Sequence, residues 1–170
     1  MAVTQQLARV SVEYLEACRT RAEESSDGDH QWDPPAADSL DLDWAPSMLA
    51  RVCEIAGVDD SRLAGLRRAT DGGAVLDVGF LADPHIGPFG PAPAALAPFE
   101  VERVSDLVTG IDFQAVLAAL PSDDHAAGAL IAAEDGFRGL RTYLTVHFDA
   151  LREFHAEASK RGLAVVLWWD

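Results

Sequence analysis

The sequence predicts an α+β fold in one compact domain. Apolar residues recur at helical spacing in five or six segments, and two to four short apolar runs have strand character. The two kinds of element do not alternate strictly, which argues against a doubly wound parallel sheet. The 170 residues are the size of one domain, able to bury roughly 70% of the unfolded surface. No internal repeat, heptad seam or interdomain boundary divides residues 1–170.

Taken in order, residues 3–10 suit a short strand. Ser11 is a natural N-cap for a helix over 12–23, in which Val12, Leu15, Cys18 and Ala22 share a face. Residues 22–43 hold eight acids and no Lys or Arg, with prolines and no periodicity, and read as a loop with room to move over 23–43. A helix follows with Leu49, Val52, Cys53 and Ala56 inward, Asp43 near its positive end, Pro46 in its first turn and Gly57 as its stop. Residues 59–70 form another, with Leu63 and Leu66 inward, and 72–80 suit a strand. Ser47 and Ser61, near helix starts, are read as caps.

The proline-rich stretch over 81–100 is neither a phosphate cradle nor a flexible linker. Prolines remove the N–H groups that a cradle needs, and Phe80, Phe89, Leu96 and Phe99 anchor it. Pro91 and Pro93 favour an extended edge strand through Ala95, and Pro98 opens a helix with Val101, Val104, Leu107 and Val108 inward. Asp112 opens a further helix that Pro121 stops, and 121–128 read as a polar loop. Phe137, Leu140, Leu144, Phe148, Leu151, Phe154 and Ala158 set a long helix over 136–160, ended by Gly162, before a buried terminal strand. Trp168 and Trp169 alternate on that strand, so one faces inward and the other outward or beneath a neighbour.

Twenty-eight Asp and Glu against 13 Lys and Arg give a formal charge of −15. Such a surface repels phosphate backbones and anionic lipid, so no nucleic-acid or membrane partner is expected, whereas a basic protein partner suits it. Solubility alone also accounts for such a charge. Cys18 and Cys53 lie in helical patterns as core thiols and set no disulfide framework. With no signal peptide and no apolar run of membrane-spanning length, a cytoplasmic location is expected.

The search for chemistry finds no catalytic set, no cofactor motif and no metal site. Asp27, Asp29 and Asp33 have calcium-loop spacing, but Trp32 stands where the sharp turn needs glycine and Asp38 where the closing glutamate belongs. His147 and His155 lie about 12 Å apart by helix rise, too far to share a zinc. His155 is expected half-buried with one ring nitrogen hydrogen-bonded. No GxSxG, HExxH or phosphate-binding glycine motif occurs. Trp32, an indole among acids, either tucks back onto the body or anchors a partner, and the cost of exposing it favours tucking back.

The segments LDLDWAPSML (40–49), FGPAPAALAPFEVERVSDLV (89–108) and YLTVHFDALREFHAEASKRGLAVVLWW (143–169) together resemble the YfbM-like family of bacterial domains of unknown function. Leu40 to Asp43, Gly90 to Ala92, Pro98 with Glu100 and Val101, and Phe148, Leu151, Phe154 and Ala158 carry the likeness. His155 in place of a tyrosine, Trp44 at the helix edge and Ala97 in place of a hydroxyl cap mark a divergent member. The resemblance implies an intracellular α+β domain and supplies no catalytic residues.

The expected function is therefore that of a non-catalytic, acidic interaction domain. One specific version is an immunity-like role against a basic toxin. The candidate surface comprises Trp32, Asp27, Asp29, Asp33, His85 and Phe89. The alternative is a small-molecule-binding protein or hydrolytic enzyme with a pocket near 84–93, lined by His85 and Phe89. Oligomeric state stays open, since an outward Trp168 or Trp169 suits either a dimer or an intramolecular cover.

Overall fold

The computed structural model describes residues 4–82, 91–131 and 139–170. At its centre two strands from opposite ends of the chain, β1 (Gln5–Val10) and β4 (Ala164–Trp169), pair antiparallel over six residues, from Gln5 opposite Trp169 to Val10 opposite Ala164. The short strands β2 (Ser39–Asp41) and β3 (Ala94–Leu96) add antiparallel to the outsides of β1 and β4, giving the order β2-β1-β4-β3.

Strand alternation divides the apolar residues between two faces. Leu7, Leu96, Val165 and Leu167 face a large core with most of the helices, while Ala8, Val10, Ala95, Ala164 and Val166 face a smaller one. The large core is built on α2 (Ala45–Ile55), α3 (Asp60–Asp71), α4 (Pro98–Thr109), α5 (Phe113–Ala118) and the long α7 (Leu140–Lys160). At its centre Phe148 stacks on Phe113 with ring centroids 4.1 Å apart. The smaller core is covered by α1 (Val12–Glu24), by Trp32, and by Leu76, Val78, Phe80 and Leu81.

Local chemistry explains most helix boundaries. The Ser11 hydroxyl accepts the Tyr14 N–H, Asp59 accepts that of Arg62, and Asp112 accepts that of Ala115. Gly57 and Gly162 take positive φ of 71° and 65° just past α2 and α7. Ala97 has no capping group, and the Glu100 carboxylate supplies half of a capping box by accepting the Ala97 N–H at 3.0 Å. Arg68 holds the same carboxylate. Gly73 passes directly over it, where a Cβ would lie 2.8 Å from Glu100 Oε1.

Several expectations are corrected. Residues 39–41, read as loop, form β2, because Leu7 and Ala8 offer an edge beside which Leu40 packs on the core. Residues 72–80 do not form a strand. Only Gly73 bridges Ala95, and the chain then turns into a 3-10 segment at Gly79–Leu81. Within the expected loop 121–128, α6 (Asp124–Leu130) starts behind an Asp123 cap, so seven α-helices stand among the described residues. Neither Ser47 nor Ser61 is a cap. Both lie inside their helices, and Asp59 caps α3. The long helix is described from Leu140, and its expected start at 136 falls outside the described residues.

His155 is fully buried, not half-buried. Its Nε2 donates to the Ala69 carbonyl at 3.3 Å, and Gln5 Nε2 donates to the neighbouring Thr70 carbonyl at 2.6 Å. These are carbonyls of the last turn of α3, which have no partner within the helix. A strand residue and a helix residue thus cap the buried end of a third element. Among the described residues, His155 Nδ1 and Gln5 Oε1 have no hydrogen-bond partner.

Burial pushes the His155 imidazole down to about 4. The folded-state value lies below the unfolded one, so the contribution of this group is complete above about pH 6.5 and is lost as pH falls toward about 4. Between pH 7.5 and pH 4.5 the wild-type chain should lose roughly 2–3 kcal/mol more stability than His155→Gln, measured by urea unfolding. Equal losses in the two proteins would show that His155 does not charge on unfolding.

Candidate functional site

The acidic segment leaves α1 and crosses the smaller face of the sheet. Trp32 lies half-buried between Tyr14 and Trp168, with ring centroids 5.7 Å from each. The Tyr14 hydroxyl accepts the Asp33 N–H at 3.0 Å, so the segment is tied to α1 just after the indole. The indole tucks back onto the body, and Trp168 is the inward member of the terminal tryptophan pair on this face.

The acids between these anchors hold their own backbone. Asp27 accepts the Ser25 hydroxyl and the Asp29 N–H, Asp29 accepts the Gln31 N–H at 2.9 Å, and His30 Nδ1 accepts the Trp32 N–H at 3.0 Å. The Ser25 hydroxyl and the Asp29 N–H hold the Asp27 carboxyl below the usual carboxylate range. Asp27, Asp29 and Asp33 are exposed. The segment ends at Asp38, which Arg161 and Arg9 grip from α7 and β1 and hold down to about 2. Of the predicted surface, Trp32, Asp27, Asp29 and Asp33 fall in this one segment, whereas His85 and Phe89, with the alternative pocket near 84–93, lie in or beside 83–90, outside the described residues.

A second constellation forms where β2 turns into α2. Asp41 Oδ1 accepts the Asp43 N–H at 2.7 Å, and Asp43 takes a left-handed φ of 51°, which a short polar side chain tolerates. The turn aims Asp43 Oδ2 at the Tyr143 hydroxyl, which donates to it at 3.1 Å. One turn along α7, the His147 ring lies 4.3 Å from that of Tyr143. Burial, helped by the Asp43 carboxylate, raises the Tyr143 phenol to about 12. Burial lowers His147, while Asp43 and Asp41 pull it the other way.

This corner brings together the Asp43 carboxyl group, a phenol held in its protonated form and an imidazole whose burial favours the uncharged form. It can exchange hydrogen bonds, and no side chain in it is set up as a nucleophile. Nothing local in the sequence joins Asp43 to Tyr143, because the two are 100 positions apart. The usable signals were the repeated Leu-Asp pattern and the i,i+4 spacing of Tyr143 and His147. Among the described residues, no three His, Cys, Asp or Glu side chains converge as a metal site. No described helix is long and apolar enough to cross a membrane. Cys18 and Cys53 are buried and unpaired, and burial raises the Cys53 thiol to about 12.

Among solved structures, the chain is similar to the crystal structure of YfbM from Escherichia coli, a protein of unknown function. The TM-score is 0.56 over 98% of this chain and 99% of that one. The chain has the YfbM fold. At 14% identity the likeness is one of fold. The long α7 followed by a terminal strand is part of that YfbM-like architecture. No family model and no curated protein matches the chain.

Asp43→Asn keeps a side chain that tolerates the left-handed turn and removes the charge. The His147 titration midpoint, followed by NMR, should begin below the ordinary histidine value and fall further in Asp43→Asn, because the carboxylate favours the imidazolium. A rise in the variant would show that Asp43 does not act on His147.

Proposed function

We propose that this chain is a non-catalytic binding protein whose acidic segment over 23–43 engages a basic protein partner. The observation that carries this reading is the uneven pairing of charge. Most of the described Lys and Arg side chains are taken up in ion pairs, such as Arg51 and Arg67 with Glu54, Arg62 with Asp59, and Arg152 with Asp149, and those that reach the acidic segment go to Glu23 and Asp38 near its ends. Asp27, Asp29 and Asp33 have no Lys or Arg partner among the described residues. Their charge is left for something outside the chain.

The anchoring of the segment supports the same reading. Carboxylates already held by Trp32, Tyr14 and successive side-chain-to-backbone bonds lose little freedom on binding, which lowers the ordering cost of association. Complementary charge raises the encounter rate and selects against acidic competitors. Neutralisation of a basic toxin or nuclease is one activity that such a surface serves.

Pull-down from lysate should recover a basic partner at about 50 mM salt and progressively less of it by about 200 mM. Asp27→Asn, Asp29→Asn and Asp33→Asn combined keep the side-chain oxygens that accept backbone N–H groups and remove three charges. That variant should lose the partner. Recovery of no specific partner, or the same partners with the variant, overturns the reading.

A further inference from the structure

α3 and α4 run antiparallel, with Gly65 against Leu107 and Arg68 against Glu100, and leave a groove of about 840 Å³ between them. Gly65 sets their approach. A Cβ there would sit 2.6 Å from Leu107 Cβ, so only glycine lets the helices come this close. The groove is accordingly floored by Ala64 and Gly65 on α3. On α4, Phe99, Arg103 and Leu107 follow one another at i, i+4 and i+8 and line the opposite wall.

The two ends of this groove differ. At the end where α4 begins, Phe99 is 64% exposed beside Arg103. Arg103 has no ion-pair or hydrogen-bond partner among the described residues, in a chain with 28 acids. Arg68 stands across from it and spends one guanidinium nitrogen on Glu100, whose other oxygen takes the Ala97 N–H. At the far end, Asp60 lies in the first turn of α3. The groove thus has a cationic, aromatic end, an apolar middle and an acidic end. Its volume lies within the roughly 300–1,000 Å³ of small-molecule sites.

We propose that the α3–α4 groove binds a small monocarboxylate with an aryl or alkyl body. The carboxylate pairs with Arg103, the body lies against Phe99 and Leu107 over Gly65, and Asp60 rejects a second carboxylate. A guanidinium presents paired N–H donors that match a carboxylate, and the one carboxylate at this end, Glu100, is already engaged by Arg68 and the Ala97 N–H. The site is separate from the acidic segment and takes a ligand of the opposite charge, so it does not depend on the reading of that segment.

The test is an NMR titration of the full chain with 4-phenylbutyrate. Amide shifts should centre on Gly65, Phe99, Arg103 and Leu107, with a Kd of about a millimolar for a ligand of this size. Arg103→Gln should weaken binding about tenfold, and Phe99→Ala should weaken it about threefold. Both positions are exposed, so the spectra away from the groove should be unchanged. 4-Phenylbutylamine, with the same body and the opposite charge, should leave the groove amides unmoved, and suberate should bind more weakly than 4-phenylbutyrate. Equal binding of the amine and the acid, an unaffected Arg103→Gln, or shifts centred elsewhere would overturn the proposal.

Discussion

The structure depends on the pairing of β1 with β4. These strands lie near opposite ends of the sequence, yet they are the two central strands and supply the longest ladder in the sheet. Everything else is placed by reference to them. β2 and β3 are three-residue additions to their free edges, and both helical layers pack on the faces they expose. A pair so distant in sequence gains nothing until the chain between it is ordered, because the entropy of closing that loop must first be met. The full burial of Leu7, Ala8, Val165 and Val166 shows what repays it.

Burial of that sheet creates a second requirement. The C-terminal turn of α3 ends inside the protein, where its carbonyls cannot reach water. Gln5 on β1 and His155 on α7 meet that need together, so strand, helix end and long helix are joined by two hydrogen bonds that no apolar pair could replace. The cost is a buried imidazole that must stay neutral. Outside the core, the acidic segment is held by aromatic packing and by its own side-chain-to-backbone bonds, and Asp38 fastens its end to β1 and α7. Charge is thereby kept on the surface while the indole is removed from it.

The parts that were legible are those specified by neighbours in sequence. Ser11 and Asp112 act as caps because an N-cap needs only a side-chain oxygen two or three residues before the free N–H groups, whereas Asp59 takes the cap of α3 that Ser61 was expected to supply. The edge strand before α4 follows from proline geometry at 91 and 93. The stripe from Leu140 to Ala158 repeats long enough to leave one interpretation. α6 was missed although Asp123 caps it, because its few residues carry no apolar stripe. Trp32 was half legible: the cost of exposing an indole argued that it tucks back, but nothing local named Tyr14 and Trp168 as its neighbours.

By itself the sequence determined most of the helices, several of their ends, the α+β class and the acidic character, because propensity, capping and periodicity act over a few residues. Only the tertiary structure decided that 39–41 join the sheet while 72–80 do not, that His155 is sealed in the core, that Asp43 meets Tyr143, and that Gly65 lets α3 approach α4 beneath a groove lined by Arg103. Strand pairing, burial and contact between helices depend on which distant segments arrive together, and no window of the sequence contains both partners.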